Sequence, residues 1–300
     1  MCPWMNIRLP GSNMDWKTFE AVAQYFGEAE EVDLTGGGEP LLHPRLEEMV
    51  RTVKSSGCVA GFSTNATLLF PDRAEDFLEA GLDWIAYSID GATPATYEKI
   101  RVGASFEKVM ENIAGVQQLK ERRRSKKPKT MLFFVMMKEN VQELPAMVKL
   151  AKSMGIDQIV AKNLDVILKE GDDERRIFKN RGEGEVDPSV SRAVAEAKRE
   201  ARDLKIPLRV YELVPAENAF CRLGWVCFPV YQSFLYPAPV LRGEMAAVSH
   251  RPFWERGQRV IGGYLEEAGV PEFSQTAPGA GEGRFREFNG ITPSRFIRIP

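Results

Sequence analysis

Three consecutive glycines, Gly36, Gly37 and Gly38, precede Glu39 and Pro40 in the segment TGGGEPL. Because glycine has no side chain, this stretch leaves the main chain uncovered, and a ligand can hydrogen-bond directly to it. A carboxylate beside bare backbone carbonyls suits a positively charged amine. The order does not fit a phosphate site, since a Walker loop needs Lys-Ser/Thr after its glycines and a Rossmann loop leads directly into a helix. A glycine-rich turn without any ligand is the alternative.

Polar groups also follow the other apolar strand patterns of the chain. The segments are STNATLL (63–69), SIDGATP (88–94), KEN (138–140) and AKN (161–163). In parallel α/β folds, ligands bind on the loops that leave the carboxyl ends of the strands. We therefore expect these groups to collect on one rim of the sheet. The candidate ligand-binding side chains on this rim are Ser63, Asn65, Ser88, Asp90 and Arg101.

Strand and helix patterns alternate regularly between residues 15 and 165. Strand patterns lie at 31–34, 58–63, 84–89, 130–137 and 156–160, and helical patterns lie at 15–26, 46–56, 72–80, 106–122 and 144–154. These alternations with short connections predict parallel strands joined by right-handed crossovers. A doubly wound sheet and a complete or partial TIM-type barrel both satisfy the pattern. The run TMLFFVMM (130–137) is uniformly apolar, which predicts a strand covered on both faces.

Composition excludes several classes of protein. A formal net charge of −2 over 300 residues gives no reason to expect nucleic acid or an anionic membrane as a partner. No apolar stretch approaches the ~20 residues that a spanning helix needs, and no secretory signal pattern is visible. The basic run KERRRSKKPK (120–129) is typical of a solvated helix end and loop. Four scattered cysteines do not form a disulfide framework, so we expect a protein of the reducing cytoplasm.

The chain divides into three segments. An α/β domain is predicted at 1–168, and 169–188 is a charged, glycine-containing linker. Residues 189–300 are predicted to form a small, irregular α+β C-terminal region. Its tail at 275–300, which includes QTAPGAGEG, is predicted to be disordered.

Four segments together resemble the core of the radical S-adenosylmethionine (SAM) superfamily in order and spacing. They are TGGGEPLLHPRLEEMV, FSTNATLL, YSIDGATPATYEKIRVGASFEKVMENI and FFVMMKEN, and the resemblance spans about residues 2–168. The nearest members in style carry a C-terminal SPASM or twitch domain. The resemblance implies a partial (β/α)6 TIM-like barrel, with its first strand missing or incomplete in this chain.

The roles of the site residues are implied by this resemblance. The glycines and Glu39 would hold the amino group of SAM, and Arg101 would pair with its carboxylate, which suits a guanidinium fork. The side chains expected along the ribose and methionyl portions are Ser63, Asn65, Ser88 and Asp90. No side chain is assigned a catalytic role, because the chemistry belongs to the cofactors.

The implied reaction is reductive cleavage of SAM at a 4Fe–4S cluster, giving a 5′-deoxyadenosyl radical that abstracts hydrogen from a peptide or small-molecule substrate. A donor such as flavodoxin or ferredoxin would supply the electron. One alternative is a non-catalytic, degenerate barrel that binds SAM or a partner protein. Another is an ordinary TIM-type enzyme of phosphate-bearing substrates, which the absence of a glycine-rich phosphate loop near the last strands disfavours.

Cys2 resembles the last cysteine of the CxxxCxxC motif that holds the family's cluster, and it is the one expected metal ligand. The two other cysteines of the motif, and the first barrel strand, would lie upstream of Met1. Because three thiolates are needed, we expect the chain to be inactive alone. Either the natural protein is longer or its gene has lost the front, and an incidental terminal thiol is the remaining alternative.

The other cysteines and one histidine receive lesser roles. Cys221 and Cys227 lie in a segment that resembles the opening of a SPASM region, but no cysteine follows them. We therefore expect this region to lack its cluster and to persist as a packed cap. Cys58 is predicted to be a small core residue, and His43 is predicted to occupy a turn rather than to act in catalysis.

Overall fold

The computed structural model describes residues 13–36, 38–164, 172–178, 186–211 and 213. It also describes the backbone pairing of two short strands, Val226–Cys227 and Phe296–Arg298. Contacts divide the chain into two units, Met1–Phe234 with Arg295–Pro300 and Leu235–Ser294, and every described residue belongs to the first unit. The predictions for Cys2 and Gly37 lie outside the described residues, and so do residues 169–171 and 179–185 of the predicted linker. Of the predicted C-terminal region 189–300, the structure describes 189–211, 213 and the two short strands.

Eight strands form one sheet, in the order β6-β5-β4-β3-β2-β1-β8-β7. All seven pairings between neighbouring strands are parallel, which confirms the predicted α/β fold. Strand β8 lies within the tail that was predicted to be disordered, so the structure differs from that expectation at these three residues. The strands are β1 Glu31–Asp33, β2 Val59–Thr64, β3 Trp84–Ser88, β4 Lys129–Met136, β5 Gln158–Asn163, β6 Leu208–Val210, β7 Val226–Cys227 and β8 Phe296–Arg298.

Helices connect the strands, and local signals set their ends. They are α1 Trp16–Ala23, α2 Leu46–Ser55, α3 Pro71–Glu79, α4 Pro94–Ile100, α5 Phe106–Arg122, α6 Leu144–Ser153 and α7 Pro188–Asp203. Ser105 caps α5 by accepting a hydrogen bond from the Lys108 amide. Gly57, Gly81 and Gly155 follow α2, α3 and α6 with positive φ angles, as predicted for helix stops. Among the described residues, no helix is both long and apolar enough to cross a membrane.

The two faces of the sheet differ in burial. In β4, Phe134 is buried, whereas Phe133 on the opposite face is half-buried. The buried face packs against helices, as the 3.0 Å hydrogen bond from Gln117 Nε2 of α5 to Thr130 Oγ1 illustrates. We call the half-buried side the inner face. The uniformly apolar run 130–137 predicted a strand covered on both faces. Within the described residues, only one face of the sheet is fully covered.

Ion pairs tie the amino ends of the strands to neighbouring segments. Asp83, just before β3, accepts hydrogen bonds from Lys54 Nζ at 2.6 Å and from the Ala60 amide at 2.9 Å, and it pairs with Lys127. Burial alone would raise the pKa of Asp83, but the two lysines and the amide outweigh this effect and lower it. Because Lys127 belongs to the basic run 120–129, part of that run is structural.

The amino end of the inner face carries a half-buried carboxyl group, that of Glu31. Trp84 Nε1 donates to Glu31 Oε1 at 2.7 Å. The Trp84 ring lies over Gly61, where an added Cβ would come within 2.1 Å of the ring. Burial raises the pKa of Glu31 to about 7, against the hydrogen bond from Trp84 and with the help of the carboxylates of Asp33 and Asp83.

Candidate functional site

The loops after β1, β2 and β3 leave the sheet at one edge, because these strands are parallel. We call residues 35–39 the glycine loop and residues 63–67 the serine loop. Direct hydrogen bonds join these two loops, and another joins Asp90 to Arg101. The predicted ligand-binding residues described at this rim are Gly36, Gly38, Glu39, Pro40, Ser63, Asn65, Ser88, Asp90 and Arg101.

Thr35 fixes the start of the glycine loop. Its amide donates to Asp33 Oδ1 at 2.9 Å, and its hydroxyl accepts from the Ser63 amide at 2.8 Å. Gly38 is exposed, and a Cβ added there would meet no described atom within 4 Å. The loop is thus anchored at its beginning and leaves main chain open further along, as the glycine run predicts.

The Glu39 carboxylate binds three donors of the protein itself. Oε1 accepts from the Leu41 amide at 3.1 Å and from Thr64 Oγ1 at 2.6 Å, and Oε2 accepts from the Asn65 amide at 2.8 Å. Glu39 therefore caps the short 3-10 helix Pro40–Leu42 and binds the serine loop at the same time.

Internal hydrogen bonds hold the serine loop in one conformation. Ala66 is buried with φ at 60°, in the left-handed region that non-glycine residues rarely adopt. Its amide donates to Thr64 Oγ1 at 2.9 Å, and its carbonyl accepts from Asn112 Nδ2 of α5 at 2.8 Å. Asn65 Oδ1 accepts from the amide and the hydroxyl of Thr67, and no hydrogen bond of its NH₂ group is found among the described residues.

The Ser63 hydroxyl differs from these groups. Its Oγ is buried and has no hydrogen-bond partner among the described residues. Ser63 pairs in register with Ala86 of β3, and Ser88 follows two residues later on the same inner face. A buried hydroxyl without a partner costs ~1–3 kcal/mol, so a ligand that hydrogen-bonds to Ser63 would recover this free energy.

Asp90 and Arg101 form a buried ion pair. Arg101 Nε donates to Asp90 Oδ2 at 2.8 Å, and Oδ1 of the same carboxylate accepts from the Val135 amide at 2.8 Å. The Asp90 side chain is 0% exposed, while 21% of the Arg101 side chain reaches solvent. The carboxylate is therefore committed to the protein, and the Arg101 side chain is held by this pair while part of it stays accessible to solvent.

Asn140 and Glu143, which both follow β4, hold the loop that carries Asp90. Asn140 is fully buried, and its Nδ2 donates to the carbonyls of Asp90 at 3.0 Å and Val135 at 2.9 Å. Glu143 accepts from the Ala92 amide at 2.7 Å. Neither residue was predicted to hold this loop. The one available signal was the position of Asn140 in a polar segment after a strand, and Glu143 had none.

His43 occupies a turn, as predicted. Its Nδ1 accepts from the Arg45 amide at 3.1 Å, which leaves Nε2 to donate to the Met14 carbonyl at 3.0 Å. Both ring nitrogens are therefore used in holding the chain before α1 against the segment before α2.

A family model described as the Radical SAM superfamily matches residues 2–151. The chain belongs to the radical SAM superfamily. The match covers the glycine loop, the serine loop and the Asp90–Arg101 pair, and it ends within α6.

Curated radical SAM relatives resemble this chain over part of their length. A tungsten-containing aldehyde ferredoxin oxidoreductase cofactor-modifying protein of Pyrococcus furiosus is 31% identical over 159 residues, which are 51% of this chain and 44% of the relative. The AdoMet-dependent heme synthase of Methanosarcina barkeri is 25% identical over 247 residues, which are 75% of this chain and 68% of the relative. The chain thus spans less than half of the first of these proteins.

Solved radical SAM structures share the fold. SuiB of Streptococcus suis bound to precursor peptide SuiA matches with a TM-score of 0.53 at 12% identity, covering 70% of this chain and 46% of SuiB. SuiB bound to SAM matches with a TM-score of 0.51 at 13% identity, covering 67% and 44%. At such low identity the likeness concerns the fold alone, and it confirms the predicted partial TIM-like barrel.

Radical SAM proteins use a 4Fe–4S cluster and SAM. The described rim fits SAM, because open main chain, a buried unpartnered hydroxyl and a guanidinium match its amine, ribose and carboxylate groups. The described ranges contain no group of three or more His, Cys, Asp or Glu that could hold a metal ion. Cys58 is buried, donates to the Phe26 carbonyl at 3.0 Å and has a pKa raised by burial, so it is a core residue, as predicted.

Proposed function

We propose that this protein binds SAM at the rim formed by the glycine loop, the serine loop and the Asp90–Arg101 pair. The observation that carries the proposal is the buried Ser63 hydroxyl, which has no partner among the described residues and lies one strand away from the open glycine loop. A polar group left unpaired at a predicted binding rim is explained most simply by a ligand that completes it.

Each portion of SAM has a matching group in this arrangement. Main chain of Gly36 to Gly38 receives the amine, and Arg101 receives the carboxylate. The hydroxyls of Ser63 and Ser88 and the NH₂ group of Asn65 follow the ribose and methionyl portions. Asp90 acts indirectly, because its carboxylate holds Arg101 in position.

The reaction class follows from the superfamily. When bound, SAM and a reduced 4Fe–4S cluster supply a radical that abstracts hydrogen from a substrate. We propose Cys2 as one thiolate of that cluster. In the family that the chain resembles three thiolates hold such a cluster, and Cys2 is the one proposed here from this chain.

The substrate is proposed to be a peptide or a small molecule. Support comes from SuiB, which was solved with a precursor peptide, and from the relative named as a heme synthase. A reducing donor such as flavodoxin or ferredoxin would supply the electron in a reducing cytoplasm. Neither nucleic acid nor a membrane is part of this proposal. The part of the region 189–300 that follows β6 would act as a cap that resembles a SPASM domain without its cluster.

The alternative function is a degenerate barrel that binds SAM or a partner protein without catalysis. Anaerobic reconstitution with iron and sulfide separates the two proposals. A chain extended upstream with two further cysteines should bind about four irons and cleave SAM, whereas the 300-residue chain should do neither. SAM cleavage by the 300 residues alone would contradict our account of Cys2.

SAM binding itself is tested with Arg101→Gln and with Arg45→Gln as a matched control. Arg45 is a half-exposed arginine that pairs with Glu48 and lies over the Trp16 ring, away from the rim. Equilibrium dialysis should show SAM binding to the wild type and the control, and about tenfold weaker binding to R101Q, as expected for one lost charged hydrogen bond. Equal binding by all three proteins would overturn the assignment of Arg101.

A further inference from the structure

The hydrogen bonds that the Glu39 carboxylate accepts are not predicted by its position beside three glycines. A carboxylate offers about four lone-pair sites. Three of them accept hydrogen bonds from the protein, from the Leu41 amide, the Thr64 hydroxyl and the Asn65 amide, at 2.6–3.1 Å. A ligand amine that used this carboxylate as its main partner would have to displace at least one of these donors.

The three donors lie on two different segments of the chain, so the Glu39 carboxylate joins these segments. Leu41 lies in the 3-10 helix Pro40–Leu42 that follows Glu39, whereas Thr64 and Asn65 lie at the carboxyl end of β2. The Glu39 side chain therefore fastens the glycine loop to the serine loop. The Thr35 hydroxyl, which accepts from the Ser63 amide, makes a second link between the same loops.

The link continues into the helical layer. Thr64 Oγ1 donates to Glu39 and accepts from the Ala66 amide, so one hydroxyl serves both sides. The Ala66 carbonyl accepts from Asn112 Nδ2 of α5. A continuous set of hydrogen bonds thus runs from α5 through the serine loop to the glycine loop. Ala66 is held in its left-handed conformation within this set.

We propose that Glu39 is a positioning residue: its carboxylate fixes the glycine loop to the serine loop, and recognition of the SAM amine is left to the main chain. This inference rests on the proposed function, SAM binding at this rim. It reassigns Glu39 from a ligand contact to the group that keeps Ser63 and Asn65 at a constant distance from the open backbone.

Two substitutions remove the link with little change in shape. In Glu39→Gln an NH₂ group replaces one oxygen, and it would face the Asn65 amide, so two donors oppose each other. Thr64→Val keeps the shape of Thr64 and removes the hydroxyl. Glu48→Gln is the matched control, because Glu48 is an exposed glutamate of α2 that pairs with Arg45.

Amide hydrogen exchange tests the link without SAM. Exchange at Asn65 and Ala66 should be about tenfold faster in E39Q and in T64V than in the wild type and the control. The double variant should exchange little faster than either single variant, because both break one network. Unchanged exchange at these two amides in E39Q would overturn the link.

SAM affinity then separates positioning from mere stability. Equilibrium dialysis, at a temperature where circular dichroism shows each variant folded, should give about tenfold weaker binding for E39Q and T64V, with the control unchanged. Faster exchange with unchanged affinity would overturn the positioning role. If the wild type itself does not bind SAM, the proposed function fails and the positioning role fails with it, while the exchange data still decide whether the link exists.

Discussion

Arg101 donates to a carboxylate that is completely shielded from solvent. Its Nε lies 2.8 Å from Asp90 Oδ2, the Asp90 side chain is 0% exposed, and Oδ1 is bound to the Val135 amide. Asp90 is thus bound by groups from two directions, and part of the Arg101 side chain stays exposed. The pair holds Arg101 in place, and both oxygens of the Asp90 carboxylate are bound by the protein.

Removing Arg101 and removing Asp90 should destabilise the protein by different amounts. Arg101→Gln leaves a buried carboxylate without its cation, whereas Asp90→Asn leaves an arginine that can reach solvent. Breaking a buried pair from one side costs ~3–5 kcal/mol, and we expect R101Q near the lower end of this range and D90N below it. Urea unfolding measures both losses, and Arg45→Gln, at an exposed pair, should lose at most ~1 kcal/mol. A larger loss for D90N than for R101Q would contradict this burial argument.

Glu31 should make stability depend on pH near neutrality. Its pKa is raised to about 7 in the folded protein, above the ordinary value of 4.5. Folding therefore favours the protonated form, and stability falls as the pH rises from about 4.5 to 7. Glu31→Gln should remove this loss and stabilise the protein by about 1 kcal/mol at pH 8, a value reduced because the group is half-exposed.

The control for Glu31→Gln is Glu30→Gln, because Glu30 is the preceding residue and is exposed. Thermal unfolding of the three proteins at pH 5 and pH 8 gives the comparison. E31Q should match the wild type at pH 5 and exceed it at pH 8, while E30Q should follow the wild type at both. An E31Q protein without any gain at pH 8 would show that the carboxyl titrates normally.

Asp83 should have the opposite pH dependence. Lys127, Lys54 and the Ala60 amide lower its pKa in the folded state despite burial. Its contribution is therefore present above the unfolded pKa and is lost as the pH falls toward the folded value. Asp83→Asn should cost ~2–3 kcal/mol at pH 7, since two lysines lose their partner, and much less at pH 3. Urea unfolding at the two pH values measures this, with the exposed Asp76→Asn as control, and a loss that does not shrink at pH 3 would refute it.

Two glycine-to-alanine substitutions should act in opposite directions. At Gly61 an added Cβ would lie 2.1 Å from the Trp84 ring, so G61A must displace the indole from Glu31. At Gly115, inside α5, an added Cβ would meet no described atom within 4 Å. We expect G61A to destabilise the protein by ~2 kcal/mol or more and G115A to stabilise it by ~1 kcal/mol. Thermal unfolding decides, and shifts of equal sign would contradict the described packing.

The sequence predicted those features that depend on local signals. Apolar periodicity and the glycines at 57, 81 and 155 located the strands and most of the helices between residues 15 and 165, and polar strand ends located the rim. The short helix α4 was not predicted. The superfamily resemblance was confirmed by the match over residues 2–151. These signals are carried by neighbouring residues, so they do not depend on how the chain folds back on itself.

The partners of the rim side chains could not be predicted in the same way. Glu39 and Asn65 are 26 positions apart, and Asp90 meets the amide of Val135 after 45 positions. Such contacts depend on the register between strands, and local sequence patterns do not determine that register. The raised pKa of Glu31 has the same origin, because it depends on burial beside Trp84 of another strand. The pairing of β8 with β1 is the longest-range contact of this kind.

SAM binding at the rim is tested most directly by amide hydrogen exchange of the wild-type chain with and without SAM. Bound SAM should slow exchange in the glycine loop, in the serine loop around Ser63 and near Arg101. Exchange near the amino ends of the strands, around Asp83, should not change. Protection that is confined to other parts of the chain, or no protection at SAM concentrations that saturate equilibrium dialysis, would contradict the central claim.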